Sequence, residues 1–257
     1  MKKAIIYTLA FVSVQILMPV FIQQLLRLFT DAAPAFDAKL LIISATACSV
    51  VVIALFLYFR WAEVSRSYVR SRPWGVLTWC AIAAMGAVIP SICLQEQLPE
   101  LPNLAEQQLD MILRNRWGYF AVGLLAPVCE ELVFRGAVLR ALLRWTSRHW
   151  VAIAISALFF ALVHANPAQM PHAFIIGLLL GWLYYRTDSI VPGVVYHWIN
   201  NSVAYVMYNL YPDPTIRLID ILGSQRSVAA AVAFSLFILL PALYQLNQWL
   251  RKAERNV

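Results

Sequence analysis

Three sets of residues at helical spacing, each with at least one polar or ionisable side chain, interrupt an otherwise apolar chain: Glu130, Glu131 and Arg135; Phe160 and His164; and His197 and Asn201. A carboxylate can act as a general base that takes a proton from water. Imidazole and carboxamide groups can donate hydrogen bonds to the oxyanion that forms when water adds to a carbonyl. These residue types together provide what the hydrolysis of an amide bond requires.

The first set lies inside the apolar segment 117–143, where ionisable side chains need a partner. A charged residue at the centre of a membrane helix costs roughly 2.5–3.5 kcal/mol on insertion scales. Glu131 and Arg135 are four residues apart, share one helix face and can form a neutral ion pair. Glu130 is turned by about 100° from Glu131. It either faces another helix or joins Glu131 in binding Arg135, and the spacing leaves both arrangements open.

The two histidines admit structural as well as catalytic roles. His164 is followed by Ala165-Asn166-Pro167, which predicts that it lies at the end of a helix, where irregular backbone can open a cavity. His197 and Asn201 share one helix face, and hydrogen bonds between helices are the alternative to a chemical role. The sequence contains neither a Gly-x-Ser-x-Gly motif nor a His-Glu-x-x-His motif, so a serine nucleophile and that type of zinc protease are not indicated.

The composition indicates a membrane protein. Of the 257 residues, 61% are hydrophobic and 13% are charged, whereas soluble domains are about 45–50% apolar and about 25% charged. We predict an all-α polytopic fold, as a single integral-membrane domain over 1–257 with its motif-bearing core at about 117–210. Eight apolar segments approach the ~20 residues that cross a bilayer: about 4–26, 39–60, 74–95, 117–143, 150–165, 172–186, 190–210 and 228–250.

The basic residues favour one orientation of these segments. With a cytoplasmic N-terminus, 13 of the 20 Lys and Arg residues fall in inner loops and at the termini, among them Arg251, Lys252 and Arg255. Positive charge concentrates on the cytoplasmic side of membrane proteins, so we expect both termini in the cytoplasm. The same bias accounts for the net charge of +7, and no nucleic-acid partner is indicated.

The outer loop 96–116 differs from the other loops because it is acidic. Asn103 and Glu106 form a capping-box pattern at the start of a predicted helix. Four apolar residues at helical spacing give that helix one apolar face: Ala105, Leu109, Ile112 and Leu113. We expect a short helix on the membrane surface, which serves either as a connector or as a lid or substrate-docking surface.

The three sets, in this order and each on its own apolar segment, resemble the motifs of the CAAX-protease and bacteriocin-processing (CPBP, or Abi) family of intramembrane endopeptidases. The motifs read Glu-Glu-x-x-x-Arg, Phe-x-x-x-His and His-x-x-x-Asn, and the likeness covers about 117–210. The resemblance implies an all-α membrane fold in which spans four to seven enclose a catalytic cavity.

The resemblance also implies a role for each motif residue. Glu130, assisted by His164, would activate the water molecule. His197 and Asn201 would stabilise the oxyanion. The remaining motif residues would have structural or positioning roles: Glu131, Arg135 and Phe160.

Metal dependence has two interpretations within this family. Glu130, His164 and His197 could bind Zn²⁺ as a His₂Glu set with one open position. A metal bound by Glu130 would leave Glu131 as the remaining base, so we favour catalysis without a metal or other cofactor. The cysteines have neither disulfide nor zinc spacing and are expected to be free thiols: Cys48, Cys80, Cys93 and Cys129.

The resemblance implies a membrane-anchored protein or peptide as the substrate and a lipid bilayer as the setting. The small size and compact loops favour a bacterial inner membrane, which makes a prenylated substrate less expected. Two other functions stay open at this point. Buried Glu, His and Asn residues also build proton-coupled transporters, although the inverted repeats that transporters often show are not found. The chain could also be a catalytically idle family member that acts as an immunity or binding scaffold.

Overall fold

The computed structural model describes residues 1–28, 37–213 and 215–250, and this part of the chain is helical and contains no strand. The all-α prediction is therefore confirmed, whereas the basic residues Arg251, Lys252 and Arg255 lie outside the described part. The helices, in chain order, are α1 Lys2–Arg27, α2 Ala38–Tyr58, α3 Arg66–Arg70, α4 Trp74–Glu96, α5 Glu106–Leu113, α6 Arg116–Gly118, π1 Tyr119–Leu125, α7 Ala126–Val133, π2 Phe134–Leu139, α8 Arg140–Trp145, α9 His149–Leu162, α10 Met170–Thr187, α11 Val191–Leu210, α12 Leu218–Leu222 and α13 Gln225–Trp249.

Four helices of the described chain are long and apolar enough to cross a membrane: α1, α2, α4 and α13. They coincide with the first, second, third and eighth predicted segments, which confirms a polytopic membrane protein. The start of α2 is fixed by Asp37, whose carboxylate accepts a hydrogen bond from the Leu40 N–H at 2.9 Å. Such a cap satisfies a backbone donor that the helix itself leaves free.

The fourth predicted segment, 117–143, differs from an ordinary span. It is one helical run from Arg116 to Trp145 in which α7 lies between π1 and π2. Predicted segments five to seven form α9, α10 and α11, and α9 has only 14 residues. At 1.5 Å per residue, α9 covers about 21 Å, less than the ~30 Å of the hydrocarbon core. The motif-bearing segments are thus helical but lack the length or the apolar composition of the other four.

The motif-bearing run lies at the centre of the helix bundle. Every residue from Glu131 to Leu139 is buried. Helices α9 and α10 pack against each other and against π2, while α11 packs against π1, α7 and α4. Helix α4 also forms a close pair with α13. In that pair Gly86 of α4 lies against the backbone of Leu239 of α13. This packing surrounds the polar motif residues with protein.

A short helix, α5, is present where the sequence predicts one, but the predicted capping box is wrong. Ala105 precedes the helix without a side-chain cap, and Asn103 instead accepts a hydrogen bond from the Asn166 amide. Asn166 is completely buried, so its amide group needs protein partners. The apolar face of α5 turns inward at Ile112, which is buried against α2 and π1.

Candidate active site

Glu131 and Arg135 form the buried ion pair that their spacing predicts. The Arg135 Nη1 donates to Glu131 Oε1 at 2.8 Å, and the two side chains are 1% and 0% exposed. The Arg135 Nη2 also donates to the carbonyl of Gly177 on α10 at 3.2 Å. The guanidinium lies over the Phe160 ring, 4.5 Å from its centroid. Phe160 therefore supports the pair through a cation–π contact.

Glu131 also connects this pair to α11. The His197 Nδ1 lies 3.1 Å from Glu131 Oε1. A carboxylate that pairs with arginine is an acceptor, so this His197 nitrogen carries the hydrogen and donates it. A Cβ atom at Gly193, one turn before His197, would lie 2.7 Å from Glu131 Oε2. The absence of a side chain at Gly193 therefore leaves room for the Glu131 carboxylate.

Glu130 has different surroundings from its neighbour Glu131. Its side chain is 21% exposed, and its Oε2 lies 3.7 Å from the Nε2 of His197. This distance exceeds that of a hydrogen bond but permits electrostatic attraction. The sequence allowed Glu130 either to bind Arg135 together with Glu131 or to face another helix. In the structure Arg135 bonds to Glu131, and Glu130 faces His197 on α11. His197 thus lies between the two glutamates.

His164 lies in the turn that follows α9, as its sequence context predicts. The helix ends at Leu162, and Ala165 adopts a left-handed backbone conformation with φ of 51°. The His164 Nδ1 lies 2.7 Å from the carbonyl oxygen of Phe160. Because a carbonyl only accepts, Nδ1 carries the hydrogen, which leaves the Nε2 of the neutral ring as its basic nitrogen.

The Phe160 ring links the two motif histidines. It meets His164 edge to face with ring centroids 4.9 Å apart, and it meets His197 in the same way at 5.7 Å. Phe160 therefore contacts the guanidinium of the first motif and the imidazoles of the second and third motifs. Residues from three separate helical segments are brought together around one buried aromatic ring.

Asn201 points from α11 toward π1. Its Nδ2 donates to the carbonyl of Val122 at 3.0 Å, and its Oδ1 accepts a hydrogen bond from Asn200 at 3.3 Å. A carboxamide has two N–H groups, so one further donor is available. In a π-helix the backbone bonds run to the fifth residue, and such segments are frequent at functional sites. The second π-helix has a comparable contact, since Ser156 Oγ donates to the Phe134 carbonyl at 2.9 Å.

Several residues near the motifs were not singled out from the sequence. Gly177 accepts from Arg135, and Gly193 makes space for Glu131. His172, in the first turn of α10, interacts electrostatically with both motif histidines and approaches the side chain of Asn200. Small residues at close helix contacts are a recognised signal in membrane proteins and could have indicated the two glycines. His172 carries no such signal, because its proximity depends on how α10 packs.

The turn that carries His164 is fastened to the loop that precedes α5. The buried Asn166 accepts from the Leu104 N–H at 3.0 Å and donates to Asn103 Oδ1 at 2.9 Å. The Gln95 amide at the end of α4 donates to the Ala168 carbonyl at 3.2 Å. These contacts hold the polar turn against the loop that precedes α5 and so restrict the position of the His164 backbone.

The described residues do not form a ready-made metal site. No group of three or more His, Cys, Asp or Glu side chains in ranges 1–28, 37–213 and 215–250 is arranged to hold a metal ion. The Nδ1 atoms of His164 and His197 are already bonded to Phe160 and Glu131. Such Nδ1 hydrogen bonds are also typical of metal-bound histidines, which then coordinate through Nε2, so they do not decide between the two interpretations, and catalysis without a metal stays a prediction. The four cysteines are free thiols.

Comparison with protein families gives a match to the motif-bearing part of the chain. The model of the type II CAAX prenyl endopeptidase Rce1-like family matches residues 113–203. This range contains all three motifs and confirms the resemblance to the CAAX-protease and bacteriocin-processing family. It supports a CAAX-type intramembrane endopeptidase in general. Comparisons with curated proteins and with solved structures give no match.

Proposed function

We propose that this protein is a glutamate-dependent intramembrane endopeptidase that hydrolyses a peptide bond of a membrane-anchored protein or peptide. The main support for the proposal is that the two adjacent glutamates differ in burial and in hydrogen bonding. Glu131 is fully buried and bonded to Arg135 and His197, whereas Glu130 is 21% exposed and faces the free nitrogen of His197. Glu130 is therefore available to react with water.

In this proposal Glu130 is the general base. It takes a proton from a water molecule, and the resulting hydroxide attacks the carbonyl carbon of the substrate. The Nε2 of His164 is a second basic nitrogen that can orient this water. The proton then passes to the amide nitrogen, so that the C–N bond breaks and a free amine and a carboxylate are released.

His197 and Asn201 are proposed to stabilise the oxyanion. The Nδ1 of His197 donates to Glu131, so its Nε2 can donate only when both ring nitrogens carry hydrogen. In that form His197 and Arg135 supply two positive charges that balance the two glutamates. A neutral set of this kind lowers the cost of placing charges in an apolar surrounding. The free N–H of Asn201 provides the second donor.

The proposal places the enzyme in the inner membrane of a bacterium with both termini in the cytoplasm. The distribution of basic residues supports this orientation. The substrate is a protein or peptide held at the same bilayer, because the polar site lies among helices that are otherwise apolar. The reaction needs no metal in this proposal.

The proposal is tested with purified protein and with cells that express single variants. We expect Glu130→Gln, His164→Ala and His197→Ala to abolish cleavage while the protein stays inserted and folded. Asn201→Ala removes one oxyanion donor and should reduce the rate by about 10²–10³-fold. Membrane peptides from cells with wild-type protein and with Glu130→Gln are compared by mass spectrometry, which also identifies the substrate. Glu106→Gln, an exposed carboxylate on α5, is the matched control.

Two results would contradict the proposal. Full cleavage by the purified Glu130→Gln variant would exclude Glu130 as the base. Loss of activity on chelation, with recovery on addition of Zn²⁺, would overturn catalysis without a metal. A transporter or an idle scaffold predicts identical membrane peptides in the two strains.

A further inference from the structure

A cavity that contains none of the motif residues lies at the end of the bundle where α1 begins. Its volume is about 480 Å³, which is within the range of roughly 300–1,000 Å³ typical of ligand sites. Its walls come from the first turns of α1, the segment that follows α2, and the π2–α8 end of the motif-bearing run. Six charged residues line it: Lys2, Lys3, Arg60, Glu63, Arg140 and Arg144.

The charges in this cavity are strongly unbalanced. Glu63 forms an ion pair with Arg140, which neutralises one of the five cations. The other four form no ion pair with any carboxylate in the described parts of the chain. Like charges that line one cavity repel each other. A bound anion would relieve this repulsion.

An aromatic cluster supports the cavity from inside. The rings of Tyr7 and Trp61 both line it and lie 5.2 Å apart. Arg60 has a left-handed backbone with φ of 54°, and this turn returns the chain so that the Trp61 N–H bonds to the Phe56 carbonyl at 2.9 Å. Trp145, also in the lining, is 52% exposed. Tryptophan and tyrosine are enriched at the level of lipid headgroups.

The surroundings of the cavity favour a lipid over a soluble anion. Three apolar side chains in the turns that follow the two lysines on α1 are exposed, with Ile5 42%, Ile6 54% and Leu9 58% accessible. Helix α1 is itself long and apolar enough to cross a membrane. The basic cavity is therefore continuous with a surface that suits acyl chains. A nucleic acid or a free phosphate has no acyl chains to bury against that apolar surface.

We propose that this cavity binds the phosphate headgroup of an anionic phospholipid. The four unpaired cations, Lys2, Lys3, Arg60 and Arg144, would surround the phosphate, while Arg140 is held in the wall by Glu63. Basic pockets between membrane helices bind lipid headgroups by this chemistry. The acyl chains would lie along the exposed face of α1. This site does not depend on the proposed peptidase activity.

The test measures which lipids the full-length protein retains. The protein is reconstituted into nanodiscs that contain phosphatidylglycerol and phosphatidylcholine, and the retained lipids are counted by native mass spectrometry. We expect selective retention of phosphatidylglycerol by the wild type. The quadruple variant Lys2→Gln, Lys3→Gln, Arg60→Gln, Arg144→Gln should retain at least about tenfold less of it.

The chain offers a matched control at the opposite ends of its helices. Neutralising the same number of cations there, with Arg27→Gln, Lys39→Gln, Arg116→Gln and Arg226→Gln, should leave the selectivity unchanged. Lys2→Arg with Lys3→Arg keeps both charges and should retain the lipid. If the quadruple variant does not fold, the double variant Arg60→Gln, Arg144→Gln should retain at least about threefold less of the lipid.

Three outcomes would overturn the proposal. An equal loss in the two quadruple variants would assign the effect to net charge. A wild type without preference for phosphatidylglycerol would exclude a built site. Displacement of the lipid by inorganic phosphate alone would assign the cavity to a soluble anion.

Discussion

The motif-free helices and the motif-bearing helices of this protein are opposites in burial. Only 11% of the most apolar window of α1 is buried, and the same fraction applies to α13. By contrast, every residue from Glu131 to Leu139 is buried, including a carboxylate and a guanidinium. Apolar side chains on α1 and α13 are thus largely exposed, whereas Glu131 and Arg135 are fully buried, which is the reverse of the usual pattern in a water-soluble protein.

This difference follows from the solvent of each region. Lipid accepts apolar side chains but cannot solvate charge, so polar residues are placed where other protein groups satisfy them. The outer helices therefore need only length and apolar composition. The inner helices need specific partners, and their stability depends on individual contacts. Substitutions should consequently have much larger effects in the inner helices.

The largest difference is expected for loss of an arginine. Arg135→Met leaves Glu131 buried without its cation and should lower the free energy of unfolding by about 3–5 kcal/mol. Arg27→Met, at the exposed end of α1, should change it by less than about 0.5 kcal/mol. Unfolding in detergent, followed by tryptophan fluorescence, measures both. Similar effects of the two substitutions would contradict the contrast between the regions.

Two glycine substitutions are expected to have different effects, one on the stability of the protein and the other on the cleavage rate. At Gly86 a new Cβ would lie 2.9 Å from the Leu239 backbone nitrogen, so Gly86→Ala should cost about 1–3 kcal/mol and leave cleavage by the folded protein unchanged. Gly193→Ala would instead displace Glu131 and with it His197, and should reduce the cleavage rate by up to about 10²-fold. Thermal unfolding and peptide cleavage are measured on both variants. Loss of activity in Gly86→Ala alone would reverse this assignment.

A local loss of stability is expected at the turn that carries His164. Asn166→Ala leaves the Leu104 N–H and the Asn103 oxygen without their partner and should cost about 1–3 kcal/mol. Faster hydrogen exchange of the Leu104 amide would show that the loop before α5 has been released. Asn209→Ala, an exposed amide on α11, is the control and should leave that exchange rate unchanged.

The smallest effect is expected at Asp110, which connects α5 to α11. Hydrogen bonds from Tyr208 and then Arg114 hold the pKa of the Asp110 carboxyl below its ordinary value of 3.8. Its contribution to stability is therefore complete above pH 3.8 and is lost as the pH falls through the lower, folded-state pKa. The side chain is exposed, so solvent screening keeps this contribution small.

Unfolding temperatures of wild type and Asp110→Asn test this point. The difference between them should be present at neutral pH and should shrink in acid, below the ordinary carboxyl pKa. Tyr208→Phe removes the larger of the two stabilising hydrogen bonds, so the effect of Asp110→Asn measured in that background should be smaller at neutral pH. A difference that grows in acid would contradict the direction of the shift.

The sequence predicted those features that depend on neighbours along one helix. The Glu131–Arg135 pair could be predicted because residues four apart always share a helix face. The four apolar spans could be predicted from composition, and the position of His164 at a helix end from the residues that follow it. The capping box at Asn103 was wrong because Asn166, 63 residues further along the chain, uses that side chain.

The residue types and their order along the chain were thus enough to predict a membrane protein with an inventory for amide hydrolysis. The spacing predicted that Glu131 pairs with Arg135, but only the tertiary structure decided that Glu130 stays partly accessible and faces His197. That choice depends on His197, which is 66 residues from Glu131, and on the space that Gly193 leaves beside it. Contacts at such separations are set by how the helices pack and not by local spacing, which is the physical reason why the spacing alone left the surroundings of Glu130 open.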